Sequence, residues 1–380
     1  MARFSVDAIV VGCGGFGSAA LYHLARRGLK VAGLEQFTPP HDRGSSHGQT
    51  RIIRKAYFEH PNYVPLLHRA WDLWLSLQSE SGRSLLLPRP LLMSGPPGSP
   101  VIDGARTSAE LHGLPLDSLS AQQARQRYPM FSVPDDHSFT LEHSAGILFC
   151  EACIAEHLSL AADHGAVLHA NETVRHIEWT QSSVTVTTDT DVWSAAAAVV
   201  TAGAWTGQLL PAYQPLIQIV RKPIFWHPAL DACWTAQDAP MFLLDLPEGQ
   251  FYGLPSIDGT TIKVGEHTGG DVVQNPNCVS REITLQDRMP VSQFVTHRLR
   301  DVGTTATSAA VCMYSMSPDG HFLFDRLPDG PVVVAAGFSG HGFKFTSVLG
   351  EAAADLIVDG STALPIEFLS QLRLPQFGAI

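Results

Sequence analysis

The stretch Asp7–Glu35, DAIVVGCGGFGSAALYHLARRGLKVAGLE, decides the fold. DAIVVG is a short apolar run, the next segment has helical spacing at Ala19, Ala20 and Leu24 before a closing Gly28, and KVAGLE is a second apolar run. This predicts strand, helix and strand in about 30 residues, the length of a βαβ unit. Gly12, Gly14 and Gly17 form G-x-G-x-x-G where the first strand passes into the helix, and Glu35 lies 23 positions beyond Gly12. Glycine permits the tight turn and lets a pyrophosphate approach the helix N-terminus, whose unpaired N–H groups and positive dipole end attract it. An acidic residue ending the second strand accepts hydrogen bonds from a ribose hydroxyl. The glycines alone also fit a structural turn. With both strands and the acidic residue present, a dinucleotide site is the better reading, and Glu35 favours NAD or FAD over a 2′-phosphorylated nucleotide.

The chain has 380 residues, which predicts two domains or one domain with a large insertion. With 45% hydrophobic and 16% charged residues it is a globular rather than a disordered chain. Its 25 basic and 36 acidic side chains give a formal charge of −11, a field that repels polyanions. Neither nucleic acid nor an anionic membrane is therefore an expected partner. No apolar run reaches the length of a membrane span, and MARFSVDAIVVG contains no signal-peptide core, so the cytoplasm is the expected location. Six unevenly spaced cysteines form no disulfide framework. Cys150 and Cys153 make a CxxC that leaves metal or redox use open, but two buried thiols on a helix are the commoner outcome, and no metal is expected.

A proline-rich passage between Leu85 and Gly104 breaks regular structure and predicts a crossing between domains. GILFCEACIAEHLSLAADHG reads as helical, and SVTVTT and AAAAVVTAGAW read as strands returning to the first sheet. From Pro223 to about Ala310 the pattern turns β-rich, with QFYGLPS and TTIKVGEH bounded by turn residues. The C-terminal PVVVAAGFSGHGFKFTSVLGEAAADLIVDG reads as strand, glycine-rich loop and helix. This order predicts one nucleotide-binding domain built from three separate segments, with two insertions forming a β-rich domain over it.

Three further motifs carry chemistry. GSSHGQTRIIRKAY, Gly44–Tyr57, places Arg51, Arg54 and Lys55 close together behind Ser45, Ser46, His47 and Thr50. A solvated basic face is the plain reading; Arg51 and Arg54, three apart, would share a face on a helix and offer a carboxylate or phosphate site. GFSGHGFKF, Gly337–Phe345, combines glycines around His341 with Lys344 and three phenylalanines, which suits close approach of backbone to a flat ligand. VCMYSMSPDGHFLFD, Val311–Asp325, puts Cys312 two residues before Tyr314. A lone cysteine is more often a small buried hydrophobe.

Together with YGLPS and TIKVGEHTGG, these motifs resemble the monomeric sarcosine oxidase and N-methyltryptophan oxidase family of flavoenzymes, in the same order through nearly the whole chain. The departures are Ser46 where a second histidine is common, Gln49 for an aspartate, Gly320 for a glutamate and Leu254 for a phenylalanine. The resemblance implies an α/β FAD-binding domain, Rossmann-like and of the glutathione-reductase type, from residues 1–85, 146–222 and 311–380, interleaved with a β-rich α+β substrate domain from residues 86–145 and 223–310. It implies FAD attached covalently through its 8α carbon to Cys312, a linkage suited to thiolate chemistry. FAD contacts are expected from Gly12, Gly14, Gly15, Phe16, Gly17, Glu35, Ser45, Thr50, Arg51, Val174, Gly203, Cys312, Gly340, Gly342, Phe343 and Lys344.

The resemblance further implies that Arg54 and Lys344 hold a substrate carboxylate, that Tyr252, Tyr314 and His267 line the pocket around the amine, and that His47 and Arg51 lie near the flavin ring. Lys263 would serve oxygen reduction. The implied reaction passes a hydride equivalent from the N-methyl carbon of a secondary amino acid to the flavin, and water and oxygen complete the conversion to amino acid, formaldehyde and hydrogen peroxide. A monomer is expected. The alternatives are an oxidase of a cyclic or primary amino acid, such as pipecolate, and a non-catalytic flavoprotein subunit.

Overall fold

The computed structural model describes residues 1–375. The strand Ala8–Val11, helix Gly15–Arg26 and strand Val31–Glu35 form the predicted βαβ unit. They belong to a six-stranded sheet in the order Val167–Ala170, Val31–Glu35, Ala8–Val11, Ala197–Val200, Val332–Ala336 and Leu323–Arg326. The first five strands run parallel and the last is antiparallel. Side chains alternate between two buried faces, as the period of a strand requires. Ala8 and Val10 pack toward the helices Gly15–Arg26, Cys150–Asp163 and Thr346–Val358, whereas Ile9 and Val11 pack toward a four-stranded sheet on the other side.

That second layer corrects one expectation. Of the two segments expected to return to the first sheet, only Ala197–Val200 does so; Val184–Thr188 lies in the four-stranded sheet with Val174–Trp179 and Val192–Ala195. Its pattern explains why: Val184, Val186 and Thr188 are buried but Thr185 and Thr187 are half-exposed, and a strand with one wet face cannot sit at the centre of a parallel sheet covered on both sides. Arg51 is a second correction. It lies on the strand Thr50–Ile53, not on a helix, because the β-branched Thr50, Ile52 and Ile53 pair with Gly146–Phe149. The proline-rich passage holds the strands Leu86–Pro88 and Leu91–Gly95, and Pro100 begins the helix Pro100–His112, where its missing N–H leaves no hydrogen bond unmade.

A nine-stranded sheet roofs the site. Its long strand Gln218–Pro228 pairs with Asp271–Val273 and Thr261–Glu266 along one edge and with Ser308–Met316 along the other. The expected boundaries at 222 and 311 fall inside these two strands, whose register is continuous from Gln218↔Met316 to Trp226↔Ser308. One face of the sheet packs Phe225, Phe242, Phe251 and Val264 against Phe294 of the helix Leu285–Arg298. Cross-strand partners share a face, so the pairs Leu243↔Tyr252, Leu254↔Lys263, Lys263↔Trp226, Lys222↔Cys312 and Val220↔Tyr314 place Tyr252, Lys263, Cys312 and Tyr314 together on the opposite face.

Candidate functional site

A cavity of about 510 Å³ runs between the two sheets. One end is the βαβ turn. Gly12 has φ +85°, and a Cβ there would sit 2.8 Å from the Thr201 carbonyl oxygen; at Gly14 a Cβ would meet nothing within 4 Å, so the backbone is open to a ligand. Gly17 does not line the cavity. A Cβ there would lie 1.8 Å from the Gly12 carbonyl oxygen, so glycine is what lets the helix start this close to the strand. The Glu35 carboxylate accepts the N–H groups of Cys13 (2.8 Å) and Phe37 (3.0 Å) and remains on the cavity wall beside Val174 and Gly203.

The other end gathers the residues of the three later motifs. Ser45, Thr50, Arg51, Arg54, Tyr252, His267, Cys312, Tyr314, Gly340, Gly342, Phe343 and Lys344 all line the cavity, as do Gly15 and Phe16. Cys312 Sγ lies 3.2 Å from His47 Nε2 and 3.3 Å from Arg51 Nη2. Burial by itself raises the thiol, but the Arg51 guanidinium, His47 and Lys263 outweigh it and bring Cys312 down to about 6. At neutral pH the sulfur is a thiolate facing the cavity.

Lys263, expected to serve oxygen reduction, is not among the residues lining the cavity. Its Nζ is buried and donates to the carbonyl oxygens of Gly48 (2.8 Å) and Thr50 (2.5 Å). Burial and then the Arg51 charge lower it to about 7. The same turn, with Gly48 at φ +91° and Gln49 at φ +70°, donates two amides to Glu151 Oε1, at 2.7 Å and 3.0 Å, and Gln49 Oε1 accepts from Trp226 Nε1 at 2.9 Å.

Two cations, Arg54 and Lys344, line this end of the cavity. Arg54 Nη2 reaches both Glu59 oxygens, at 2.7 and 2.6 Å, and its guanidinium lies over the rings of Tyr57 and Phe58. Burial raises Glu59, but Arg54 above all overcomes this and brings it to about 2. Lys344 is buried, donates to the His341 carbonyl oxygen at 2.7 Å, and is lowered to about 7 by burial and by Arg54. Tyr314 Oη lies 3.5 Å from His267 Nδ1, and burial lowers His267 to about 4, so the imidazole is neutral at pH 7. His341 is occupied structurally, between the Tyr57 hydroxyl (2.6 Å) and the Gly320 carbonyl oxygen (3.0 Å).

The profile of a family described as FAD dependent oxidoreductase matches residues 7–356. The chain belongs to the FAD dependent oxidoreductase family. Among curated relatives of this flavoprotein, the monomeric sarcosine oxidase of Streptomyces avermitilis is 39% identical over 375 residues, covering 97% of each chain. The N-methyl-L-tryptophan oxidase of Yersinia pestis is 36% identical over 372 residues, covering 97% of this chain and 99% of that protein. The fold is shared with NikD, an unusual amino acid oxidase essential for nikkomycin biosynthesis (TM-score 0.85, 24% identity, 97% of both chains), and with L-proline dehydrogenase from P. horikoshii (TM-score 0.84, 20% identity, 98% of both). The flavoprotein's cavity fits its cofactor: open backbone at Gly14 and a free helix N-terminus with no acidic residue in its first turn suit a pyrophosphate.

Glu59, Glu151 and Trp226 carry site contacts that sequence reasoning did not single out. Glu59 had a weak signal, five residues after Arg54. Glu151 and Trp226 had none, since they reach the site from other elements. Cys150 and Cys153 are buried thiols, both raised by burial, and among the described residues no His, Cys, Asp and Glu cluster could hold a metal. Among the described residues no helix is long and apolar enough to cross a membrane.

Proposed function

We propose that this flavoprotein is an oxidase of N-methyl amino acids, giving the amino acid, formaldehyde and hydrogen peroxide, and that it works as a cytoplasmic monomer with its FAD bonded to Cys312. The names of its relatives among the sarcosine and N-methyltryptophan oxidases support the reaction. The observation that carries the reading is that a low-pKa cysteine, a Tyr314–His267 pair and two buried cations open on the same cavity as the dinucleotide turn.

In this reading, Glu35, Val174 and Gly203 hold the adenosine part of FAD. Gly12, Gly14, Gly15, Phe16 and Ser45 receive the pyrophosphate, with Gly17 setting the helix behind them. Thr50, Arg51, Cys312, Gly340, Gly342, Phe343 and Lys344 surround the flavin. When bound, FAD takes the two electrons and the hydrogen removed from the N-methyl carbon and passes them to oxygen.

The chain's own residues prepare that step. Lys344 and Arg54 offer charge-assisted hydrogen bonds to the substrate carboxylate, for which it competes with Glu59 at Arg54. An ammonium has no lone pair with which to support loss of hydride, so the substrate nitrogen must be uncharged. The Arg51 and Arg54 guanidinium groups disfavour a further positive charge in the pocket, and Tyr252 and Tyr314 supply hydroxyls that can accept from or donate to the amine. The division into an FAD-binding part and a substrate part follows the two large sheets.

Purified protein should be yellow, bleach with an N-methyl amino acid under nitrogen, recover in air and release one formaldehyde per turnover. Bleaching without formaldehyde would instead favour a cyclic or primary amine as substrate.

A further inference from the structure

The turn Gly48–Thr50 is held between opposite charges. On its N–H side, Glu151 Oε1 accepts the amides of Gly48 (2.7 Å) and Gln49 (3.0 Å); on its C=O side, Lys263 Nζ donates to Gly48 (2.8 Å) and Thr50 (2.5 Å). The conformation needs holding. Gln49 has φ +70°, a region that costs a side-chain-bearing residue free energy, and Gly48 at φ +91° lies so close to Ile224 that a Cβ would sit 2.4 Å from its Cδ1. The turn also separates the two groups nearest the sulfur: His47 precedes it and Arg51 follows it, and both contact Cys312. Glu151 is the second residue of the helix Cys150–Asp163, and the Cys150 amide closes the same joint by donating to the Gln49 carbonyl oxygen at 2.9 Å.

We propose that Glu151 is a positioning residue, whose carboxylate clamps the Gly48–Thr50 turn against Lys263 and through that turn holds His47 on Cys312 and fixes the lysine side chain on the roof sheet. This rests on the reading of Lys263 as the cation that serves the oxygen reaction. Two physical effects act together. The aligned peptide groups transmit the carboxylate's field to the ammonium, and, against burial and the Arg51 guanidinium that lower Lys263, the carboxylate adds its charge to those of Cys312 and Cys150 in raising it. Without Glu151, two amides of a strained turn lose their acceptor, and the turn relaxes toward ordinary φ values.

The test is Glu151→Gln in the full-length holoprotein, with Glu151→Asp as the rescue variant. Protein reduced with dithionite under nitrogen is mixed with oxygenated buffer across pH 5.5 to 9, which measures the oxygen reaction without any amine substrate. Loss of the negative charge makes the ammonium harder to keep, so the fall in rate with rising pH should move to lower pH in Glu151→Gln and return partway in Glu151→Asp, with at least a fivefold slower reaction at pH 8. The fraction of chains that retain the mass of FAD after denaturation should fall while total bound FAD stays near one per chain. An unchanged pH profile together with unchanged FAD retention overturns the proposal, as does a parallel loss of total FAD and melting temperature, which would mark Glu151 as merely structural. A wild-type protein that does not recover in oxygen overturns the oxidase reading instead. Deuterium uptake then decides on Glu151 with Glu151→Ala, which removes the acceptor that a glutamine amide oxygen would still supply: faster exchange across Gly48–Thr50 and also across the strand Thr261–Glu266 supports the clamp, and exchange as in wild type at both sites overturns it.

Discussion

Before a flavin is attached, the Cys312 thiolate, the Arg51 guanidinium and Lys263 form a small cluster in a buried place, in which Arg51 lowers both other groups and the thiolate raises Lys263. Lys263 sits lowest relative to its ordinary value, at about 7, so its charge is present below that pH and lost above it. Negative charge developing on oxygen needs a fixed cation, whereas hydride loss from an amine does not. Lys263→Met should therefore slow reoxidation by a factor on the order of a hundred, with flavin reduction by substrate changed little. In wild type, reoxidation should fall as pH rises through the Lys263 pKa, which lies below about 7 once the Cys312 sulfur is a thioether and no longer raises it by its charge. Stopped-flow reduction under nitrogen, followed by mixing with oxygen, resolves both steps, and a Lys263→Met protein that reoxidises at the wild-type rate removes this lysine from the mechanism. A second residue-scale prediction concerns the carboxylate site. Lys344→Met should weaken a carboxylate inhibitor by about 2 to 4 kcal/mol, because a buried charge-assisted partner is lost. Arg54→Met should weaken it too, since Glu59 is then left buried and unpaired and repels the ligand. Glu59→Gln should act the other way and tighten the inhibitor by freeing the Arg54 fork, while lowering stability. Equilibrium titration against the flavin spectrum measures all three, and equal affinity in Arg54→Met and Glu59→Gln would remove the competition between Glu59 and the ligand.

At the scale of elements, the strand-turn-helix at Gly12 to Gly17 is the least tolerant joint. A methyl group at Gly17 would overlap the Gly12 carbonyl oxygen, so the helix must move away from the strand and carry its N-terminus with it. Gly17→Ala should cost about 1 to 3 kcal/mol and lower the FAD content of purified protein. Unchanged flavin absorbance per chain would show that the pyrophosphate does not depend on this helix position. This joint was legible in the sequence because its strands are apolar throughout, its helix has one period, and its glycines are needed for local geometry. The cysteine and lysine motifs were legible for a different reason, the resemblance of whole segments. Glu151 was not, since its role depends on a helix from residue 150 meeting a turn at residue 48, and a lone acidic residue in a helix's first turn is satisfied by the helix dipole alone. The expected boundaries at 222 and 311 fall inside two strands, because the β-pattern of Gln218–Pro228 and Ser308–Met316 runs on without a break in composition. Arg51 was read with a helical period because three-residue spacing says nothing about the strand that its β-branched neighbours form.

The whole molecule closes its site by bringing Cys312 on the roof sheet over the turn and loop that extend from the parallel sheet. A cofactor held between them links the two layers, so its binding contributes to the stability of the whole chain. A covalent bond changes how that contribution depends on concentration. If FAD is bonded to Cys312, free FAD cannot add to a site that is already filled, and the melting temperature of wild-type protein should not respond to added FAD. Cys312→Ser removes the sulfur that Arg51 and His47 contact, leaving FAD held by reversible contacts alone. Its melting temperature should then rise with FAD, by an amount corresponding to about 2.7 kcal/mol when free FAD is 100-fold above the dissociation constant. Acid denaturation should release all the flavin from Cys312→Ser and none from wild type, read as the mass of the intact chain. A wild-type protein whose melting temperature climbs with added FAD, or whose flavin washes out in denaturant, would show that Cys312 is a charged neighbour of the flavin and not its anchor.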